Sequence, residues 1–245
     1  METSFFHFYE VRPGTADFDD YQEARYDVFC EELGRVEPTG HFNGRGHAIE
    51  TDRFDEHSRH FIARHKTKGV IAGFMRVIMP NPMGLNVSDR YVIDQPLPYG
   101  VDLAQIGEIS RLAVTPTFRR RHSDEGKSVQ GDPETEMTGR ADGMRQHQPE
   151  LVLGLYREVY HLCQSEGVDY CVAAMDRRFS RLLNTLGFPF LAVGPVNEAV
   201  LPARRVYLIS AQEMENSLGS RENCILSFMQ AQLERLQLAP LPLAA

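Results

Sequence analysis

The spacing of hydrophobic and polar positions along the 245-residue chain changes several times, and each change marks an element. Residues 17–34, DFDDYQEARYDVFCEELG, set Tyr21, Ala24, Arg25, Val28, Phe29 and Leu33 three and four apart, with acidic residues early and Gly34 at the end. That pattern predicts an amphipathic helix. Residues 35–57 carry glycines and histidines without a clear period and read as a loop. The apolar runs RHFIARHK (59–66) and GVIAGFMRVIMP (69–80), separated by the turn-like TKG, predict a β-hairpin. A third strand is expected over 105–115, after an extended stretch broken by Pro80, Pro82, Pro96 and Pro98. Residues 122–148 are polar, glycine-containing and nearly free of large apolar side chains, which predicts a long mobile loop. Beyond it the expected order is a helix over 150–167, a strand over 168–175, a short helix over 177–187, strands over 188–195 and 204–210, and a helix over 211–237. No internal repeat is present, and the alternation predicts one mixed α/β or α+β domain over 1–245 around a central sheet.

Composition narrows the function classes. A content of 42% hydrophobic and 24% charged residues is that of an ordinary globular chain with a real core. The first residues lack a basic stretch followed by a long apolar run, and no segment reaches the roughly 18 apolar residues of a membrane span. A cytoplasmic protein is expected. The net charge of −8 argues against general nucleic-acid binding. Cys30, Cys163, Cys171 and Cys224 form no C-x-x-C pair, so buried free thiols are expected in place of a zinc site or disulfide framework. His41, His47, His57, His60 and His65 offer no third ligand at a recognisable spacing, and no metal is expected.

The stretch QIGEISRLAV (105–114) poses the chemical question, because Glu108 and Arg111 interrupt an otherwise apolar strand. Buried charges need partners or a use. Their odd spacing would aim them at opposite faces of a regular strand, unless Gly107 and a bulge in this strand re-aim one of them. Ser110 lacks the G-x-S-x-G elbow of a serine nucleophile.

Taken together, RYDVFCEELG, TDRFDEHSRHFIAR, AGFMRVIMP and GEISRLAV resemble the acyl-homoserine lactone synthases of the LuxI type. They are still more similar to related acyltransferases that make N-acyl amino acids, including those associated with exosortase and PEP-CTERM sorting systems. The resemblance covers about residues 15–120 in motif detail, and VDYCVAAMDRRFSRLLNTLGF extends it to the broader GNAT fold. It implies a central mixed, mostly antiparallel sheet flanked by helices. It also matches Arg25, Asp52 and Asp55 to a network shaping an N-terminal lid, Arg76 to the hairpin arginine, and Glu108 and Arg111 to the charged pair of the next strand.

The activity implied is transfer of a long-chain acyl group from a thioester to the amine of an amino acid. Glu108 is the candidate general base, with its pKa raised by partial burial, and Arg76 and Arg111 are candidates for gripping the acceptor carboxylate or orienting Glu108. The thiolate leaves with a pKa near about 8.5 and needs little acid help. Backbone N–H groups around Leu112, Ala113 and Val114 would hold the pantetheine amide and the oxyanion, beside Ser110 and Phe29. Arg35 stands where lactone synthases carry a Trp, and the chain has no Trp, which moves the expectation toward an acceptor with a free carboxylate. The glycine-rich pyrophosphate loop of coenzyme-A users has no clean match after LAVTPTF. The expected donor is therefore the acyl-phosphopantetheine arm of an acyl carrier protein in preference to acyl-coenzyme A, with no tightly bound cofactor. Arg119, Arg120, Arg121, Arg177, Arg178 and Arg181 would form its docking patch. The alternatives are a lactone-forming synthase using S-adenosylmethionine and an inactive acyl- or carrier-binding module.

Overall fold

The computed structural model describes residues 3, 5–119, 148–221 and 224–231. The polar stretch 122–147 and Arg120 and Arg121 lie outside the described residues, and Gln148 opens a helix.

Seven strands form one sheet in the order β1-β2-β3-β4-β5-β7-β6. They are β1 (Phe6–Val11), β2 (Ser58–His65), β3 (Ile71–Ile78), β4 (Gly107–Val114), β5 (Tyr170–Met175), β6 (Leu191–Ala192) and β7 (Arg205–Ser210). Every neighbouring pair is antiparallel except β4 and β5. The sheet is mixed and mostly antiparallel with helices on its faces, as expected. The expected hairpin is β2–β3. Strand β1 was not among the expected elements, although Phe6 and Phe8 alternate with half-buried His7 and Tyr9, and Val11 packs on the opposite face with Tyr9. The strand expected over 188–195 pairs only at Leu191 and Ala192. Pro189 has no N–H to give a ladder, and Phe188 and Phe190 are buried as core side chains.

Helix α1 (Ala16–Tyr26) is capped by Thr15, whose side chain accepts from the Phe18 N–H, and it runs on into a π-helical turn, Asp27–Glu32. The wider turn brings Val28, Phe29 and Cys30 into the core together. After β4 comes the single turn α2 (Pro116–Arg119), then α3 (Gln148–Glu166) and α4 (Arg177–Leu186), the latter capped by Asp176. The helix expected over 211–237 is two within the described residues, α5 (Ala211–Gly219) and α6 (Ile225–Gln230). Of the cysteines, Cys30, Cys163 and Cys171 are buried, but Cys224, at the start of α6, is exposed, contrary to the expectation of buried thiols throughout.

The two faces of the sheet are covered differently. On one face α3 to α6 enclose the main core, which includes Phe8, Met75, Val77, Ile109, Leu155 and Ile209. On the other, α1 covers β1 to β4 through Phe18, Tyr21, Phe29, Ile62 and Phe74, and the long connection between β3 and β4 covers β5 to β7 through Leu85, Val87 and Leu97. The site described below lies on this second face, between its two covers. Helix α3 approaches the sheet closely because Gly154 meets the Phe8 ring, where an added Cβ would lie 2.2 Å from Cζ. Gly154→Ala should therefore destabilise the protein by about 1–3 kcal/mol by overpacking. A lower urea midpoint at unchanged m-value is the expected result, and an unchanged midpoint would show that the ring moves aside freely.

Candidate active site

Strand β4 carries its chemistry on one face because it is bulged. Arg76 pairs with Ser110 and Phe74 with Ala113, so two steps along β3 oppose three along β4. The extra residue is Arg111, held in the left-handed region with φ 51°. A non-glycine residue there costs on the order of 1–3 kcal/mol unless its surroundings impose it. Ile109, Leu112 and Val114 consequently face the α3 core, whereas Glu108, Ser110 and Arg111 share the α1 face. The bulge falls at Arg111 itself, four residues beyond Gly107. Gly107 serves close approach: a Cβ there would meet Cys171 Sγ at 3.3 Å.

What imposes the bulge is a network of three guanidiniums and three carboxylates. Arg25 Nε bonds Glu50, and its Nη1 donates to Asp55 at 2.8 Å. Arg76 Nη1 donates to Asp52 and to Asp55, each at 2.6 Å, and its Nε to Ser110 Oγ at 3.0 Å. Arg111 Nη2 donates to Glu50 at 2.8 Å and Asp52 at 2.9 Å, while its guanidinium lies 5.6 Å from the centre of the Phe29 ring. Asp52 and Asp55 are presented by a tight turn in which the Asp52 N–H donates to the Asp55 carboxylate and the Phe54 N–H to that of Asp52. Arg25 and Arg76 have no exposed side-chain surface, and neither has Glu50, whereas Arg111 at 15% and Asp52 at 20% form the edge that solvent reaches.

Burial alone would raise the Glu50 carboxyl, but Arg25 and Arg111 override it and hold it down to about 2. Asp55 is lowered in the same way, against its burial, by Arg25 and Arg76. His60, on β2, is pushed down to about 4 chiefly by burial, and its Nδ1 lies 3.0 Å from Tyr21 Oη. Glu108 stands apart from these pairs. Its oxygens accept from the Val87 N–H at 2.9 Å and Asn86 Nδ2 at 3.2 Å, and burial raises its pKa despite those donors and the more distant Arg76 and Arg111.

The parallel pairing of β4 with β5 stops almost as it starts, at Gly107–Cys171 and Glu108–Val172. From Ile109 onward β4 pairs only with β3, and a gap opens along the edge of half-exposed Ser110, Arg111 and Leu112. Glu108 is thus the last paired residue before the gap. Beneath this point, on the α3 side, is an apolar cavity lined by Ile109, Tyr156, Val159, Phe188, Ile209 and Met214 among others.

The structure brings together Arg25, Arg76, Arg111, Asp52, Asp55 and Ser110 as a single network. Phe29, Ala113 and Val114 lie nearby, with buried side chains. Several expectations change. Arg25 pairs with Asp55 and Glu50, while Asp52 belongs to Arg76 and Arg111. Arg76 cannot grip a substrate carboxylate as it stands, because it is sealed from solvent by two aspartates and Ser110. Arg119 is no docking residue: it is 3% exposed and paired with Glu32. Arg177, Arg178 and Arg181 are exposed on α4 as expected. Arg35 is half-buried. Glu50 was missed, although the alternate and i+3 carboxylates of IETDRFD are a visible signal. Among the described residues no group of three or more His, Cys, Asp or Glu side chains is arranged to hold a metal ion.

The network sets an acid dependence. A carboxylate with a depressed pKa contributes its full stability above its unfolded value near about 4.5. For Glu50 that stability is lost as the pH falls toward about 2. His60, neutral when folded, is depressed from 6.5 to about 4 and removes stability across that window as the pH falls. Stability should decline from about pH 6.5 downward in two stages. Glu50→Gln should cost about 3–5 kcal/mol at neutral pH, by leaving buried guanidiniums uncompensated, and should flatten the lower stage. Urea midpoints measured across pH check this, and an unchanged lower stage would remove Glu50 as its source.

Residues 24–126 match the family model described as an acetyltransferase (GNAT) domain. No curated protein sequence matches the chain. Among solved structures, TofI in a ternary complex with an inhibitor and MTA is similar at a TM-score of 0.56 and 15% identity, over 87% of this chain and 96% of that one. The AHL synthase LasI is similar at 0.55 and 13%, over 87% and 93%. BjaI, a CoA-dependent acyl-homoserine lactone synthase solved with MTA, is similar at 0.53 and 16%, over 92% and 98%. With its bulged fourth strand and the gap beside it, the chain has the fold of the GNAT-superfamily acyltransferases, in the form shared with the lactone synthases.

Proposed function

We propose that the protein transfers an acyl group from a thioester to the α-amine of an amino-acid-like acceptor. The observation that carries this reading is the position of Glu108 at the vertex of the β4–β5 gap, beside the solvent-facing edge of an ionic network. That edge offers an acceptor zwitterion both charges it needs, the Asp52 carboxylate for its ammonium and the Arg111 guanidinium for its carboxylate. Glu108, kept basic by burial, takes the ammonium proton through a water between the strands. The amine then attacks the thioester carbonyl, and backbone N–H groups of the unpaired β4 edge stabilise the oxyanion until the thiolate leaves. The apolar cavity on the α3 side receives the start of the acyl chain. The half-exposed β4 edge speaks against an inactive binding module, whose gap would be filled.

Two acceptors fit this chemistry, since S-adenosylmethionine carries the same α-amine and carboxylate as a free amino acid. Of the similar structures, LasI and BjaI are lactone synthases by name, and TofI and BjaI were solved with MTA, which favours S-adenosylmethionine and a lactone product. The absence of any Trp, with Arg35 in its place, favours a free amino acid and an N-acyl amino acid product. The donor is an acyl carrier protein or acyl-coenzyme A, with exposed Arg177, Arg178 and Arg181 of α4 available to an acidic carrier. The cytoplasm is the compartment such donors require. The association with exosortase systems rests on the sequence motifs alone.

Glu108→Gln keeps the hydrogen-bonding shape and removes the base, so turnover should fall roughly 100-fold or more with the fold retained. The acidic limb of the wild-type pH–rate profile should lie above the ordinary glutamate range, since activity requires the ionised form and burial raises its pKa. Unchanged turnover at saturating substrate would dismiss Glu108. For the acceptor, the purified protein is offered an acyl carrier protein or acyl-coenzyme A donor with S-adenosylmethionine or single amino acids, and products are weighed by mass spectrometry. Acyl-homoserine lactone with released methylthioadenosine would establish the first acceptor. Acylated amino acids, with methyl esters reacting poorly, would establish the second, and no acyl product with either would overturn the reading.

A further inference from the structure

Two of the buried thiols meet at a place that the ionic network does not explain. Cys163 lies in the last turn of α3, and Cys171 is the second residue of β5. Gly167 turns the chain between them with φ 68°, and the Val168 N–H returns to the Cys163 carbonyl at 3.0 Å. That reversal lays the end of the helix against the start of the strand and brings the two sulfurs to 3.7 Å, as free thiols. Closing the contact to the about 2 Å of a disulfide asks only a small movement of each side chain.

The contact has a direction. A hydrogen bond donated by Cys171 lowers the Cys163 thiol below its ordinary value, against burial and the charge of Asp169. The same bond, with burial, raises the Cys171 thiol well above its own. Cys163 is therefore the thiolate of the pair and Cys171 the thiol that follows it. Burial and Glu50 push Cys30 up to about 11, which leaves that thiol inert. Both members of the pair line the apolar cavity beneath Ile109, along with Tyr156, Tyr160 and Asp169. Cys171 also stands at the vertex of the β4–β5 gap, where it pairs with Gly107 and its Sγ fills the space a side chain would take. Only 7% of Cys163 and 4% of Cys171 is exposed, so an oxidant of the pair has to be as small as hydrogen peroxide.

We propose that Cys163 and Cys171 are a redox-modification site, closed by hydrogen peroxide into a disulfide that narrows the apolar cavity and reopened by a dithiol. The Cys163 thiolate attacks one peroxide oxygen, the O–O bond breaks, and a sulfenic acid forms as hydroxide leaves and takes up the proton that Cys163 had released. The Cys171 sulfur then attacks the sulfenic sulfur, and the S–S bond forms as the hydroxyl group departs with the Cys171 proton as a second water. The two thiols are oxidised by two electrons and the peroxide is reduced to two waters. Because one sulfur belongs to α3 and the other to β5, the new bond draws two walls of the cavity together. Its consequence for substrates rests on the acyl-transfer reading, in which an oxidised protein loses long acyl chains before short ones.

The test uses the full chain with Cys224→Ser, which removes the exposed thiol and with it disulfides between copies. After peroxide treatment and digestion by a glutamate-specific protease, which cuts at Glu166 between the two cysteines, mass spectrometry should find their peptides joined with the loss of two hydrogens. Cys30 should remain a thiol, and dithiothreitol should separate the peptides. Cys171→Ala should stop at a Cys163 sulfenic acid that dimedone captures. The cavity is read by calorimetry with unreactive probes, the decyl and methyl thioethers of pantetheine. Oxidation should weaken decyl binding at least about tenfold, the size of two methylene groups kept out of the cavity, and change methyl binding less than about twofold. Cys163→Ala should bind the decyl probe equally before and after peroxide. Thiols that stay reduced, or that oxidise further without joining, overturn the redox pair. A joined pair that leaves decyl binding unchanged, or a reduced protein that does not prefer decyl to methyl, overturns the narrowing. Absence of acyl transfer beside a joined pair and weakened decyl binding would sink the enzymatic reading and leave this site standing.

Discussion

A buried set of charges cannot be assembled piecemeal, and that constraint governs the site face of this fold. Arg25 comes from α1, Glu50, Asp52 and Asp55 from the segment before β2, Arg76 from β3 and Arg111 from β4. Each guanidinium buried alone would cost several kcal/mol, and the cost is offset only when all the carboxylates arrive. Docking of α1, closure of the 50–55 turn and the register of β3 against β4 are therefore coupled. With three positive and three negative groups the network is neutral, which lets it sit under α1 while exposing only its Asp52–Arg111 edge. The same contacts hold Arg111 in a backbone conformation it would otherwise avoid, so energy from ion pairing is stored as a bulge in the strand.

The bulge also ties the network to the parting of the sheet. An extra residue in an antiparallel strand bends it and increases its twist. Strand β4 remains with β3 on both sides of Arg111 and leaves β5 after only two paired residues. The gap sits in the middle of a seven-stranded sheet, where a splayed strand would ordinarily leave backbone donors unmatched. In the proposed reaction the donor substrate supplies the missing partners. Gly107 keeps the two strands together just before they part, since its lack of a side chain admits Cys171 and Val168. Glu108 is fixed at that vertex by the Val87 N–H, so the β3–β4 connection, which has little regular structure, acts as the clamp on the candidate base.

Much of this arrangement was legible in the sequence, and what was not has identifiable causes. Helix α1 and the β2–β3 hairpin follow from periodicity alone. The charges of β4 signalled a site because ionic residues inside an apolar strand need a reason. Which face they occupy was not legible, since a one-residue bulge inverts the parity of everything beyond it and is fixed by partners distant in sequence. Glu50 was overlooked for the same cause: a carboxylate in a polar loop looks solvated until its two arginines, 25 and 61 residues away, are seen beside it. Arg119 misled in the opposite direction, because the first member of an arginine run reads as surface while the tight turn after β4 folds it inward onto Glu32. Strand β1 was passed over because its alternation is short and adjoins the terminus.

The site face is asymmetric in charge, and the asymmetry gives the proposed substrates different approaches. At the vertex the groups are balanced or acidic: a neutral network edge and Glu108. Past the open end, α4 carries the exposed Arg177, Arg178 and Arg181. An anionic donor is drawn to the open end and an acceptor bearing both charges to the edge, with β4 between them. The apolar cavity lies on the opposite face of the sheet, beneath Ile109. An acyl chain directed there must pass between β4 and β5, which places its carbonyl at the level where the strands separate. Two polar substrates meeting on one face and an apolar tail leaving through the other would fix the thioester in a single orientation beside Glu108, without any residue having to bind the reacting carbon directly.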